Sequence, residues 1–111
     1  MHKIARLLLE KGTDPNHRAE GGSTPLHRAA FEGHTEIVKL LLAKNADPLL
    51  KDAFGFTPLH VVVMEGHAET VKLLLEKGAA PNIKGKDGLS SLGWTHGNKE
   101  IIDLLNGHGA K

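Results

Sequence analysis

The chain alternates short stretches that have apolar residues at helical spacing with stretches that are rich in Gly, Pro, Asn and Asp. Ile37, Leu40 and Leu41 lie at a spacing near 3.6 residues, which predicts an amphipathic helix. Segments 48–56 and 81–89 contain Pro and Gly and have no helical period, so they predict turn or hairpin loops. The pattern predicts short helices joined by turns.

These segments repeat with a period of 33 residues. The sequence TPLH at 24–27 recurs at 57–60, and VKLLL at 38–42 recurs at 71–75. EGH also occurs twice, 33 residues apart, and the ungapped alignment of the two units has 18 identities in 33 positions. A unit of this size cannot bury its apolar face alone, so neighbouring copies are expected to stack around one continuous core.

Each unit has the start and stop signals of a helix pair. Thr24 and Thr57 are predicted N-caps, because a hydroxyl can accept a hydrogen bond from a free backbone N–H. Pro25 and Pro58 follow at the first helical position, where a missing N–H has no cost. Residues that accept positive φ are predicted to end the helices. They are Gly33 and Gly66 for the first helix, and Gly12, Asn45 and Gly78 for the second.

The unit resembles the ankyrin repeat in its TPLH start, EGH turn, VKLLL helix and following G/N-A-D/A-P loop. The resemblance implies an all-α fold, an ankyrin-repeat α-solenoid of stacked helix-turn-helix units with β-turn or hairpin loops. It also implies that the repeated histidines bond to backbone groups between hairpin and helices. The implied structural residues are Thr24, Pro25, Leu26, His27, Gly33, His34, Thr57, Pro58, Leu59, His60, Gly66 and His67.

Aligned on this period, residues 1–111 form a single domain. Residues 1–23 are predicted to be the second helix and loop of an incomplete first repeat. Residues 24–56 and 57–89 are two full repeats, and residues 90–111 are a C-terminal capping repeat.

Both ends depart from the repeat pattern. In the last unit SSLG replaces TPLH and the first helix is two residues short, as expected of an end without a neighbour. Trp94 either plugs this shortened unit or contacts a partner. At the other end, the face of Ile4, Leu7 and Leu8 lacks its partner helix. Either upstream residues have been removed, or a second copy of the chain covers this face in a homodimer.

Composition excludes several kinds of function. The 14 Lys and Arg balance 13 Asp and Glu, and the pI of 8.1 is below the value of about 9 that marks electrostatic nucleic-acid binders. The absence of cysteine excludes disulfides, thiolate zinc sites and cysteine nucleophiles. Apolar runs are far shorter than the ~20 residues of a membrane helix. We therefore expect a cytoplasmic protein that binds neither nucleic acid nor membrane.

No motif predicts catalysis, so we expect neither an enzyme nor a cofactor. GLSSL at 88–92 lacks the closing glycine of a nucleophile elbow, and GKDG at 85–88 lacks the spacing of a phosphate loop. Repeat-related histidines lie about 10 Å apart, too far to share an ion bound at ~2 Å, so no metal site is expected. The repeat-related glutamates, Glu32 with Glu65 and Glu36 with Glu69, indicate solvated faces.

The family resemblance implies that a partner protein binds the concave surface made by the turn tips and the first helices. The differences between the two full repeats include turn positions 20/53/86, 21/54/87 and 23/56/89 and the helix position 31/64, and three of the four aromatic residues occupy such positions. Phe and Met are enriched at protein interfaces. The predicted contact residues are Glu20, Ser23, Phe31, Glu32, Ala53, Phe54, Phe56, Met64, Glu65, Lys86, Asp87 and Leu89.

The sequence therefore favours a non-catalytic protein-interaction module. Two alternatives stay open. In the first alternative, the chain is a regulatory or targeting fragment of a larger protein. In the second, it is a self-associating unit that uses its open N-terminal edge.

Overall fold

Two layers of short helices form the protein, which we describe from a computed structural model for residues 15–86 and 88–110. Within these residues there are five α-helices and no β-strand. The helices are α1 Pro25–Glu32, α2 Thr35–Ala43, α3 Pro58–Met64, α4 Ala68–Glu76 and α5 Lys99–Gly107. Two 3-10 helices, Glu20–Gly22 and Ser91–Trp94, complete the elements. The predicted helix of the incomplete first repeat, with Ile4, Leu7, Leu8 and Gly12, lies outside the described residues.

The layers follow from which helices pack together. The first helices, α1 and α3, pack against each other, and the 3-10 helix Ser91–Trp94 packs on α3. The second helices stack in the same order, with α4 between α2 and α5. The fold is the all-α repeat solenoid that the 33-residue period predicts.

Each first helix begins with a reciprocal pair of hydrogen bonds. The Thr24 hydroxyl accepts the backbone N–H of His27 at 3.3 Å, and Nδ1 of His27 accepts the backbone N–H of Thr24 at 3.2 Å. Thr57 and His60 form the same pair at the start of α3. The predicted threonine N-caps are confirmed, and the proline at the first helical position follows in both helices.

The core lies between the two layers and uses equivalent positions of successive units. Leu26 and Leu59 are completely buried, as is Leu74 in the second layer. One of the core positions in the second layer of helices carries a polar residue. Thr70 stands where the preceding unit has Ile37, and it is only 1% exposed. Its hydroxyl shares a 3.0 Å hydrogen bond with the hydroxyl of Thr35, so the polar group is satisfied inside the contact between α2 and α4.

The last unit is shorter than the others. Its first helix is reduced to the four-residue 3-10 helix Ser91–Trp94, in agreement with the predicted two-residue deletion. The second helix, α5, keeps its full length and is capped by Asn98, whose side chain accepts the N–H of Ile101 at 3.2 Å. Ser91 Oγ and Trp94 Nε1 are buried and make no hydrogen bond within the described part of the chain.

Three tight turns project in a row beside the first helices. We call residues 19–23, 52–56 and 85–89, apart from Asp87, the turn row. The N–H of Ala53 donates to the Gly21 carbonyl at 2.9 Å, and the N–H of Lys86 donates to the Phe54 carbonyl at 3.1 Å. One backbone hydrogen bond therefore joins each turn to the next.

The turns stack closely enough to require glycine at one position. Gly55 has φ +80°, and a Cβ on it would lie 2.7 Å from the backbone nitrogen of Lys86. Gly66, after α3, has φ +74°, and a Cβ on it would meet no other heavy atom within 4 Å. A comparison of alanine substitutions at the two glycines therefore separates the cost of a left-handed backbone from the cost of a steric clash.

We expect Gly55→Ala to destabilise the fold more than Gly66→Ala. The second variant has only the left-handed penalty of about 1–2 kcal/mol, whereas the first also forces apart two turns, which adds about 1–3 kcal/mol. Urea denaturation followed by circular dichroism measures both. Equal losses would show that the turns do not depend on this close approach.

Candidate partner-binding face

The candidate site is the surface that combines the turn row with the exposed sides of α1 and α3. We call it the turn–helix face. Large apolar side chains concentrate there: of the four that are exposed in the described part of the chain, Phe31, Phe54 and Leu89 lie on it, and the fourth is Leu49. Phe31 is 59% and Phe54 65% exposed. Exposed apolar groups that are clustered rather than scattered mark interaction sites.

The predicted contact residues that fall within the described chain differ in exposure. Glu20, Phe31, Glu32, Ala53, Phe54, Glu65, Lys86 and Leu89 are exposed. Ser23, Phe56 and Met64 are half-buried. Asp87 lies outside the described residues.

A groove with a volume of about 390 Å³ lies at the junction of the first two complete units. It contains three of the predicted residues, Ser23, Phe31 and Glu32, and its other lining residues are His27, Arg28, Asp52 and Val61. Arg28 is a groove residue that was not among the predicted contacts. Its position three residues before Phe31 on the same helix could have placed it on this face, because residues three apart are neighbours on a helix.

Trp94 stands at the corresponding position of the next unit. It occupies the repeat position of Arg28 and Val61, and its ring packs edge-on against Phe56, with ring centroids 5.8 Å apart. Phe56 in turn stands at the repeat position of Ser23. Of the two roles left open for Trp94, the packing agrees with the plug, since the ring is half-buried against the shortened unit, and the partner contact stays a prediction.

The turn that carries Phe54 is braced by a side chain that the sequence analysis did not identify. Asp52 Oδ1 accepts the N–H of Phe54 at 2.9 Å and the N–H of Phe56 at 3.0 Å. The equivalent residues of the other two turns, Ala19 and Gly85, have no carboxylate. An Asp that bonds the backbone two residues ahead is a common turn former, so the residue type was a usable signal.

Histidine connects each first helix to the following turn. Nε2 of His27 donates to the Phe56 carbonyl at 2.7 Å, and Nε2 of His60 donates to the Leu89 carbonyl at 3.3 Å. These bonds confirm the role that the family resemblance implies for His27 and His60. His67 makes a related contact, donating from Nε2 to the Phe31 carbonyl at 3.3 Å.

The environment of His27 keeps its ring neutral. Burial lowers the pKa of His27 below its ordinary value of 6.5, and the positive charge of Arg18 acts in the same direction. The hydrogen bond to Phe56 and the negative charge of Asp52 oppose this shift. Nδ1 also accepts an N–H, so only the neutral ring with its proton on Nε2 fits both contacts.

Within 15–86 and 88–110, no three potential metal-binding side chains come together. Over the same ranges, no helix has the length and apolarity to cross a membrane.

Comparisons with known proteins identify related sequences. Two overlapping matches to the family model described as "Ankyrin repeats (3 copies)" cover residues 1–87 and 44–111. The mouse (Mus musculus) protein "Inactive serine/threonine-protein kinase TEX14" is 50% identical over 36 residues, which are 32% of this chain and 2% of that protein. The human (Homo sapiens) "Ankyrin repeat domain-containing protein 49" is 57% identical over 35 residues, which are 32% of this chain and 15% of that protein. This chain thus matches only a small part of either relative.

We expect acid to destabilise the fold through His27. Its pKa is lower in the folded than in the unfolded chain, so the unfolded chain binds more protons as pH falls below about 6.5. The neutral His27 ring therefore contributes stability above about pH 6.5, and this contribution is lost as the pH falls further. Urea midpoints measured from about pH 8 to about pH 5 should fall less steeply for His27→Gln than for the wild type.

The matched control is His17→Gln, because His17 is exposed. This variant should keep the wild-type slope of stability against pH. An unchanged slope in His27→Gln would assign the acid sensitivity to other groups.

We also expect Asp52→Ala to destabilise the fold by about 1–3 kcal/mol, since it removes an ionised acceptor from two backbone N–H groups. Asp52→Asn keeps a side-chain oxygen at the same position and should recover part of this loss. Urea denaturation measures the stability of both variants. Equal losses for the Ala and Asn variants would mean that the side-chain oxygen at position 52 does not hold the turn.

Proposed function

Because this chain belongs to the ankyrin repeat family, whose repeats generally mediate protein–protein interaction, we propose that it is a non-catalytic module that binds a partner protein on the turn–helix face. Ankyrin repeat proteins are typically interaction modules without catalysis. We place the module in the cytoplasm, as its composition predicts.

The exposed aromatic side chains are the observation that supports this proposal most directly. Phe54 is 65% exposed although it stands on the turn that Asp52 braces. A ring held on an ordered turn loses little conformational freedom on binding, so its burial by a partner contributes more to affinity. Aromatic anchors of this kind dominate the energetics of many interfaces.

The other residues of the face are assigned supporting roles. Phe31 and Met64 extend the apolar contact along the first helices, while Glu32, Glu65 and Lys86 adjust specificity through their charges. The complete proposed contact set is Glu20, Ser23, Phe31, Glu32, Ala53, Phe54, Phe56, Met64, Glu65, Lys86, Asp87 and Leu89.

A second candidate function is regulation or targeting within a longer protein. It is favoured by the relatives, in which the matched stretch is only 2% and 15% of the whole protein. In that case the repeats would position another segment while still using the turn–helix face. A reading frame that continues beyond residues 1–111 would support this candidate.

We expect Phe54→Ala to weaken binding at least tenfold, since truncation of an interface anchor costs about 2 kcal/mol or more. The ligands are peptides selected from an unbiased displayed library on the immobilised chain. Their dissociation constants are then measured in solution by fluorescence polarisation.

Leu49→Ala is the matched control, because Leu49 is also a large exposed apolar residue but lies off the turn–helix face. It should leave affinity within about twofold of the wild type. Ligands whose binding depends on Leu49 and not on Phe54 would refute the proposed face.

A further inference from the structure

The groove between α1 and α3 has a counterpart one repeat further along the chain. Three of the residues that line the groove have equivalents with aromatic rings 33 residues later. The pairs of equivalent residues are Ser23 and Phe56, His27 and His60, and Val61 and Trp94. The chain therefore contains two versions of one site. The first version has small side chains at two of the three positions, and the second has rings at all three.

In the second version the three rings pack together. The centroid of the Phe56 ring lies 5.5 Å from that of His60 and 5.8 Å from that of Trp94. Both distances fall within the range of about 4.5–7 Å in which aromatic pairs attract each other. The framework of this unit thus accommodates a phenyl ring between the histidine of one first helix and the ring that follows it.

The histidine of the first version is held in the same way. Nδ1 accepts the N–H of the capping threonine at 3.2 Å in His27 and at 3.1 Å in His60. Nε2 donates to the carbonyl at the end of the next turn, which belongs to Phe56 for His27 and to Leu89 for His60. Two contacts fix each imidazole, so the ring against which Phe56 packs is repeated, with the same tethers, in the groove.

The first version has room for a ring that the chain itself does not supply. Ser23 and Val61 are both half-buried and are smaller than their aromatic equivalents. The groove that they line has a volume of about 390 Å³. An apolar cavity of about 150 Å³ is large enough to bind benzene. One aromatic side chain of a partner therefore fits in the groove.

The polar groups of the groove also suit an aromatic side chain. Arg28 is exposed and makes no hydrogen bond or ion pair with the described residues, so its guanidinium is available to stack on a ring. Glu32 and Asp52 place carboxylates in the same groove. A carboxylate accepts a hydrogen bond from the N–H of tryptophan or the O–H of tyrosine, and these groups usually find a partner when the ring is buried.

We propose that the groove receives a tryptophan or tyrosine side chain of the partner protein. The ring packs against His27 and Val61, as Phe56 packs against His60 and Trp94 in the next unit. The guanidinium of Arg28 stacks on the ring, and the polar end of the ring donates to a carboxylate of the groove. This inference rests on the proposed function, because it names the group of the partner that the same face recognises.

A small compound tests the groove without any substitution. N-acetyl-L-tryptophanamide and N-acetyl-L-leucinamide are titrated separately into the ¹⁵N-labelled full chain and followed by nuclear magnetic resonance. The tryptophan compound should shift the amide signals of Ser23, Arg28 and Val61 in a saturable way, with a dissociation constant of about 1–10 mM. The leucine compound at the same concentration should cause less than one third of these shifts, because it has no ring to stack on.

Two variants close the groove with the residues of its counterpart. Ser23→Phe adds the ring that the next unit has at this position, and Val61→Trp does the same from α3. Each variant should lose the saturable shifts. Asn106→Phe is the matched control, because it adds a ring at an exposed position of α5, and it should keep them. Urea denaturation checks that each variant is folded, and either closing variant is sufficient for the test.

The library-selected ligands extend the test to peptides. In ligands that depend on Phe54, replacement of their tryptophan or tyrosine by alanine should weaken binding to the wild type at least tenfold. The same replacement should weaken binding to Ser23→Phe less than twofold, since the groove is already closed. Arg28→Gln should weaken the unaltered peptides about two- to fivefold, the range of a cation–π contact at an exposed site.

Three outcomes would overturn the inference: no saturable shifts with the tryptophan compound, equal shifts with the leucine compound, or unchanged shifts in a folded closing variant. If ligands that depend on Phe54 have no aromatic residue and bind Ser23→Phe as tightly as the wild type, the inference fails and the proposed function stands. If the selected ligands are insensitive to both Phe54→Ala and Ser23→Phe, both fail.

Discussion

The hydrogen bond from His27 to the Phe56 carbonyl joins three parts of the structure that would otherwise be independent. The same ring completes the N-terminal cap of α1 through Thr24 and is neutral because its other nitrogen accepts an N–H. The carbonyl that it contacts also accepts the backbone N–H of Asp52 at 2.9 Å, which closes the turn. The start of a helix, the charge state of a buried ring and the position of the next turn are therefore set together. Because His60 repeats this contact with Leu89, the arrangement extends along the stack.

Phe54 is exposed on a turn whose backbone is held at two points. The N–H groups of Phe54 and Phe56 both donate to the Asp52 carboxylate. The ring of Phe56, two residues away, does turn inward and packs on Trp94 and His60. Two positions of one turn, on either side of Gly55 with its φ of +80°, thus serve the surface and the interior, and their rings still stack with centroids 6.3 Å apart.

Local signals made much of the fold predictable. Threonine and proline determine where α1 and α3 begin. The spacing of Ile37 and Leu41 predicts the buried side of α2. Both signals come from residues that are close in sequence. The groove was harder to predict from the sequence, because it depends on which side chains occupy the neighbouring repeat. Arg28 and Val61 line an open space, whereas Trp94, at the same repeat position of the next unit, packs on Phe56. Thr70 is similar, since a polar residue in the core is acceptable only opposite Thr35.

The two unsatisfied polar atoms in the shortened unit, Ser91 Oγ and Trp94 Nε1, have a consequence for cooperativity. They lower the free energy needed for sub-global opening of the C-terminal end, so that end is expected to exchange its amide hydrogens first. In a solenoid each unit contacts only its neighbours, and the groove lies at the opposite junction, between α1 and α3. Fraying of α5 would therefore leave Arg28 and Glu32 in place, whereas opening of Ser91–Trp94 would remove the ring that packs on Phe56. Binding at the α1 end of the face is thus less coupled to opening of the far end than binding at the Phe56 turn.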